Sequence, residues 1–78
     1  RQKGLRITME VPDREGELAK VAQAIAEQGG YIAACGAFAA EDPTKWGLVF
    51  KVRNVNRDTL AKTLSAIEGA NVLDIREM

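Results

Sequence analysis

The first part of the chain alternates apolar and polar residues, and a helical period then replaces this alternation. A half-buried strand is predicted over residues 5–11, with apolar positions at Leu5, Ile7, Met9 and Val11. Pro12 ends this strand because proline has no N–H to donate to a sheet. The i, i+3, i+4, i+7 spacing that follows predicts an amphipathic helix over residues 17–28, with an apolar stripe of Leu18, Val21, Ala22 and Ile25.

Residues 31–40 form a long stretch of small and apolar side chains, which we interpret as a second strand. Its alanine content is poor for a strand and leaves a helix possible. Gly30, Gly36 and the hairpin signal at residues 41–45 favour the strand. One face, expected to meet the helices, carries Ile32, Ala34, Gly36 and Phe38. The opposite face carries Tyr31, Ala33, Cys35, Ala37 and Ala39.

The second half of the chain repeats the order of strand, helix and strand. Alternation predicts a third strand over residues 46–53, with Trp46, Leu48, Phe50 and Val52 on the core side. Asn56 is a good N-cap for a second helix, which Gly69 closes. The apolar stripe of that helix is Leu60, Leu64 and Ile67. Residues 72–76 form a last strand, with Leu73 and Ile75 expected on the core side.

This order of elements predicts an α+β fold for residues 1–78 as a single domain. Two right-handed crossovers around one hairpin give a ferredoxin-like βαββαβ sandwich, in which a four-stranded antiparallel sheet carries two helices on one face. The second strand then lies at a sheet edge. Its outward face is apolar, and an uncharged edge strand favours pairing with another chain. We therefore expect a homodimer, or contact with another domain of a longer protein.

Composition narrows the chemistry. The 78 residues hold 11 Lys+Arg, 11 Asp+Glu, one Cys and no His. Balanced charge argues against nucleic-acid binding, and a lone cysteine without histidine argues against a disulfide framework or a metal site. With a lone cysteine, a cytoplasmic location is expected. No apolar run is long enough to span a membrane. No phosphate loop or dinucleotide motif is present, and no nucleophile–base pair can be assembled. We expect neither a cofactor nor enzymatic activity.

Two segments, residues 11–21 and 25–32, resemble the ACT domain family. Its usual run is a strand, Asp-Arg-Pro-Gly, a helix of small apolar residues ending in Gly, and an Asn-Ile pair that opens the second strand. Residues 46–53, Asn56-Arg57 and residues 73–77 are most similar to the C-terminal ACT domain of CBS-pair proteins of the acetoin-utilisation type. The resemblance implies CBS domains in the parent chain. A start at Arg1 also suggests a piece of a longer protein.

The resemblance implies a regulatory domain that binds an amino acid or a related small ligand between two copies. The matching positions are Asp13, Arg14, Glu15, Gly16, Glu17, Leu18, Tyr31 and Ile32. A loop that leads into a helix N-terminus presents free N–H groups, which suit a ligand carboxylate. Glu15 stands where the family often has Pro, and Tyr31 stands where it often has Asn.

Two functions remain open from the sequence. The first is a ligand-sensing regulatory domain that modulates an attached domain. The second is a structural dimerisation module, in which Tyr31 fills the pocket and no ligand binds. The two differ at position 31. If Tyr31→Asn created or strengthened amino-acid binding, this result would favour the structural dimerisation module as the function of the native chain.

Overall fold

A computed structural model describes residues 4–78 and has the predicted order of elements. The strands are β1 (Gly4–Pro12), β2 (Tyr31–Ala39), β3 (Lys45–Arg53) and β4 (Asn71–Glu77), and the helices are α1 (Glu17–Glu27) and α2 (Arg57–Ser65). The strands form one antiparallel sheet in the order β2-β3-β1-β4. The ferredoxin-like βαββαβ topology is therefore confirmed.

The core lies between the sheet and the two helices. Its buried side chains are Leu5, Ile7, Met9, Val11, Val21, Ile25, Leu48, Phe50, Val52, Leu60 and Leu64. The alternating positions of β1 and β3 supply the sheet side, because directly paired residues such as Ile7 and Phe50 point to the same face. The helical stripes supply the other side through Val21, Ile25, Leu60 and Leu64, whereas Leu18, also predicted in a stripe, is 44% exposed.

Three of the four helix ends agree with the sequence signals. The Asn56 side chain accepts a hydrogen bond from Thr59 N at 2.9 Å, which confirms the predicted N-cap of α2. At the end of α1, Gly29 adopts a φ of 79° and its N–H donates to Ala26 O at 2.9 Å. Helix α2 is shorter than predicted: it ends at Ser65, four residues before Gly69, and Ile67 lies beyond its end.

The predicted faces of β2 are wrong after Ala33. The register with β3 shifts between Ile32 and Ala34, so Ala33 is an extra residue and the alternation reverses beyond it. Ile32 faces the helices as expected. Beyond the bulge, Ala34, Gly36 and Phe38 lie on the open face of the sheet, whereas Cys35, Ala37 and Ala39 lie on the helix side. The ring of Phe38 covers Gly47, where any Cβ would overlap it.

A second irregularity corrects the prediction for β4. Thr8 pairs with Asp74 and Met9 pairs with Val72, so Leu73 is skipped in the register. Leu73 is 50% exposed, and Val72 packs against the core in its place. Ile75 pairs with Ile7 and packs against the core as expected. The bulged residue Leu73 was therefore assigned to the wrong side, and Ile75 was assigned correctly.

Candidate ligand-binding site

The loop of residues 13–16 joins β1 to α1 and is held by the neighbouring hairpin. Asp13 N donates to Thr44 O at 3.0 Å, and Arg14 N donates to Pro12 O at 2.9 Å. The hairpin itself is ordered by Asp42, whose Oδ1 accepts from Thr44 N at 2.8 Å and from Thr44 Oγ1 at 2.6 Å. The hydrogen bond from the Thr44 hydroxyl holds the pKa of Asp42 below its ordinary value. The loop therefore rests on a locally ordered turn.

Gly16 sets the angle at which the chain enters α1. Its φ is 83°, in the left-handed region that favours glycine. A Cβ placed there would meet no atom within 4 Å. Glycine is thus required by the backbone conformation and not by close approach of another group. No side chain of the described residues caps the first turn of α1.

Glu17, the first residue of α1, is buried although it carries charge. Its side chain is 4% exposed. One oxygen, Oε2, accepts from Arg14 Nε at 3.2 Å and from Lys20 Nζ at 3.1 Å. The hydrogen bond from Lys20, aided by the positive charges of Lys20 and Arg14, lowers the pKa of Glu17, while burial acts in the opposite direction. The carboxyl is therefore ionised at neutral pH.

The other oxygen of Glu17 has no partner. Oε1 is buried and makes no hydrogen bond with any described residue. Buried polar atoms nearly always find a partner, so an unpaired carboxylate oxygen at a helix start is unusual. The covering side chains, Arg14 and Lys20, are both more than half exposed and both contact Oε2. Glu17 thus keeps one unused acceptor.

A pocket of about 150 Å³ lies beside this carboxylate, and we call it the α1 pocket. It is lined by Val11, Pro12, Arg14, Glu17, Leu18, Ala37, Trp46 and Leu48. The walls are mostly apolar, and Trp46, which was expected in the core, is 41% exposed. Arg14, Glu17 and Leu18 are the predicted site residues that line it. It opens on the helix side of the sheet, next to the β2 edge.

Other predicted residues lie outside the α1 pocket. Asp13 lines a neighbouring depression of about 130 Å³ with Ala39, Pro43 and Lys45, among others. Glu15 and Gly16 are exposed and line neither space. The loop residues are therefore close in the chain, but they do not converge on one point.

Tyr31 and Ile32 lie at the opposite end of β2 from the loop. Tyr31 pairs with Arg53, whereas Ala39, at the other end of β2, pairs with Trp46 of the α1 pocket. Eight residue steps of a strand span about 26 Å. Tyr31 is 60% exposed and shares the open face with Arg53. One chain therefore does not bring Tyr31 or Ile32 to the loop.

A larger depression of about 410 Å³ lies near Tyr31, and we call it the α2 groove. It is lined by Gly4, Leu5, residues 52–57 and Glu77. Sequence reasoning did not point to it. Three of its polar groups are engaged locally: Asn54 Nδ2 donates to Gly29 O at 2.9 Å, Asn56 caps α2, and Arg57 Nη2 donates to Ile75 O at 2.9 Å. Among the described residues that line it, no buried side-chain polar atom lacks a hydrogen-bond partner.

Five residues that line the α1 pocket were not assigned to a site from the sequence: Val11, Pro12, Ala37, Trp46 and Leu48. Trp46 was assigned to the core from its alternation, and Ala37 was assigned to the wrong face.

Across residues 4–78, no three side chains of the Cys, Asp and Glu type group as metal ligands do. No described helix is both long and apolar enough to cross a membrane.

The sandwich and the loop before its first helix define a small ferredoxin-like domain. The family model described as the TTHA0829-like ACT domain matches residues 3–76, nearly the whole chain. The chain therefore belongs to the ACT domain family, whose members are regulatory ligand-binding domains and not catalytic ones. No curated protein matches the chain significantly.

Solved structures show the same fold at low identity. The regulatory subunit of aspartate kinase from Thermus thermophilus is 22% identical with a TM-score of 0.72, over 96% of this chain and 50% of that one. A formyltetrahydrofolate deformylase from Pseudomonas syringae is 18% identical with a TM-score of 0.78, over 99% and 28%. An ACT domain protein from Streptococcus pneumoniae is 17% identical with a TM-score of 0.70, over 99% and 91%. The chain thus spans half or less of the first two proteins.

Proposed function

We propose that this ACT domain senses a small molecule, an amino acid or a related compound, and acts as a homodimer that modulates an attached domain. The observation that carries the proposal is the α1 pocket, which is lined by apolar side chains and by Glu17, whose Oε1 is buried without a partner. Ala37 of the β2 edge is one of those walls, so a second copy paired along β2 would stand beside the pocket.

The β2 edge supports the pairing step. Among residues 4–78, β3 is the only sheet neighbour of β2, and the nine residues of β2 carry no charge. Charges on an edge strand normally discourage pairing with another chain, and this edge has none. Gly36 and the alanines of β2 also leave room for close approach of a second backbone. We therefore place a second copy on this edge, antiparallel to the first.

The bulge at Ala33 determines which residues then meet. We set Cys35 opposite Cys35 of the second copy and pair outward residues that lie on the same face of the sheet. Because Ala33 is the extra residue, Ile32 of the second copy then lies opposite Ala37. Tyr31 of the second copy comes opposite Phe38 on the open face, as an aromatic cross-strand pair. Ile32 of the second copy would therefore border the α1 pocket, and the loop and the start of β2 would meet only in the dimer.

Oxidative cross-linking tests this arrangement. Cys35 is the only cysteine, and directly opposed residues of antiparallel strands bring two Cα atoms within about 5.5 Å, a distance that a disulfide can bridge. Mild oxidation of the dilute protein should give a disulfide-linked dimer. In the matched control, Cys35→Ser combined with Ala39→Cys should give none, because residue 39 does not face its own copy. A monomer in light scattering, or equal cross-linking in both proteins, would contradict the arrangement.

Thermal melting tests the sensing step on the same samples. We would measure melting against the twenty amino acids and a few small carboxylates. A ligand that binds only the folded dimer raises the melting temperature in proportion to the logarithm of its concentration. A concentration-dependent rise for one ligand class supports the sensor. A dimer that no compound stabilises favours the structural module instead.

A structural dimerisation module is the second candidate. It is favoured by Tyr31, a large side chain at a position where the family often has Asn. The variant Tyr31→Asn separates the two functions: amino-acid binding that appears only in the variant would favour the structural module. Equal binding in the native protein and the variant would favour the sensor.

The attached domain is also part of the proposal. The resemblance of residues 46–53 and 73–77 supports a CBS pair in the parent chain, in a cytoplasmic protein of the acetoin-utilisation type. In that protein, a ligand that bridges two ACT domains would favour one dimer geometry and so bias the CBS domains. Measuring CBS-ligand affinity in the full-length protein, with and without the ACT ligand, tests this link. Reciprocal changes in the two affinities are expected.

A further inference from the structure

The unpaired oxygen of Glu17 gives the α1 pocket a definite chemical preference. A carboxylate can only accept hydrogen bonds, and Oε2 already accepts two of them from Arg14 and Lys20. Oε1 accepts none from residues 4–78 and is shielded from solvent. Leaving such an oxygen unpaired is unfavourable. A ligand in the α1 pocket that displaces the side chains shielding this oxygen and supplies a donor there would recover the missing interaction.

The rest of the α1 pocket limits what carries that donor. Leu18, Ala37 and Trp46 offer apolar contacts, and about 150 Å³ suits a short aliphatic group. The charged groups that face Glu17 are Arg14 and Lys20, which more than balance its single negative charge. A ligand carboxylate placed at Oε1 would meet another carboxylate oxygen with no proton between them. The start of α1 is thus less suited to a free carboxylate than its helix dipole alone suggests.

We propose that Glu17 Oε1 selects ligands that present an N–H group, an amine or an amide, joined to a short apolar group that packs against Trp46. This inference rests on the proposed function, because it names the chemistry of the same site. It adds a specificity-determining residue, Glu17, and a preference for hydrogen-bond donors over carboxylates at that position.

Isobutyramide and isobutyrate form a matched pair of probes. They share the same carbon skeleton, and they differ in that the amide donates N–H bonds whereas the carboxylate only accepts. Isobutylamine and valine extend the pair to a free amine and to a zwitterion. Trp46 is the only tryptophan of the chain and lines the pocket, so its fluorescence reports occupancy directly. Titrations of this chain with each probe give the relative affinities.

The native protein should bind isobutyramide or isobutylamine at least tenfold more tightly than isobutyrate, as expected for a hydrogen bond to a charged acceptor. Glu17→Met, which removes the acceptor and keeps a side chain of similar length, should abolish that preference. Glu17→Gln keeps one acceptor oxygen and should retain part of it. Glu27→Gln is the control, because it removes an exposed carboxylate at the far end of the same helix.

Three results would overturn the inference: equal affinity for the amide and the carboxylate, an unchanged preference in Glu17→Met, or no fluorescence change with any probe. These results are distinguishable from failure of the proposed function. If an amino acid stabilises the native protein and Glu17→Met equally, the site binds ligand without this selection. If nothing stabilises the protein and Cys35 does not cross-link, the sensing dimer itself is wrong.

Discussion

The two ends of the sheet differ in how their polar groups are satisfied. At the end that holds Tyr31, the α2 groove is the larger space, yet Asn54, Asn56 and Arg57 all find partners nearby. At the end that holds the loop, the α1 pocket is smaller, but Glu17 Oε1 is buried without a partner. The difference teaches that volume alone does not mark a binding site. A buried polar atom without a hydrogen-bond partner, in a residue that lines an apolar pocket, is the stronger indication of a binding site.

The largest expected effect is at Gly30, at the Tyr31 end. A Cβ there would lie 2.7 Å from Ile25 Cγ2, 2.8 Å from Ile25 O and 2.8 Å from Val55 Cγ1. A backbone oxygen cannot move aside as a flexible side chain can, so Gly30→Ala should destabilise the fold by about 2–3 kcal/mol. Denaturant unfolding measures this. A loss below about 0.5 kcal/mol would show that this end is not tightly packed.

A smaller effect is expected at Gly16, at the loop end. No atom lies within 4 Å of a Cβ there, and the penalty comes from the φ of 83° alone. Gly16→Ala should therefore cost about 1–2 kcal/mol, and Gly16→Asn less, because Asn tolerates the left-handed region better. Chemical unfolding of both variants separates conformation from packing. Equal losses for Ala and Asn would contradict this explanation.

The smallest effect on the unliganded protein is expected at Glu17. Met fills the same space without a buried, half-satisfied charge, so Glu17→Met should melt at the native temperature or slightly above it at pH 7. A clear drop in melting temperature would mean that the ion pairs of Oε2 with Arg14 and Lys20 outweigh the cost of burying the charge of Glu17.

The pH dependence of folding stability also tests the contribution of Glu17. The pKa of Glu17 is lowered in the folded state, so its ionised form contributes stability above the unfolded pKa. That contribution is lost as the pH falls below about 4.3, through the lower folded value. As the pH falls below the unfolded value, native stability should therefore decline more steeply than that of Glu17→Met. Parallel declines, measured by urea unfolding at several pH values, would show that Glu17 does not contribute.

The fold could be predicted from the sequence because the two faces of the central strands β1 and β3 differ clearly in hydrophobicity. In β1 large apolar residues alternate with mostly polar ones, and in β3 they alternate with Gly47, Val49, Lys51 and Arg53, so the period identifies the core side. In β2 both faces carry small apolar residues, so nothing in the pattern revealed the extra residue at Ala33. The faces of Ala34 and Phe38 therefore needed the structure.

The candidate site was predicted in part for a similar reason. The loop before α1 was identified, and Arg14, Glu17 and Leu18 do line one pocket. The burial of Glu17 was not foreseen, because a glutamate in the first turn of a helix is usually solvated. Arg14 and Lys20, three residues before and after it, were the available signal. The contribution of Ala37 depends on the bulge and could not be read from the pattern.

The most direct test of the account is to find which end of the molecule a ligand touches. Backbone amide shifts of the 15N-labelled protein would be mapped during titration with isobutyramide and with each amino acid of the panel. We expect the shifts to cluster at residues 12–18, 37 and 46, with Ile32 responding through the second copy. Shifts that cluster at residues 52–57, along the α2 groove, would contradict the account.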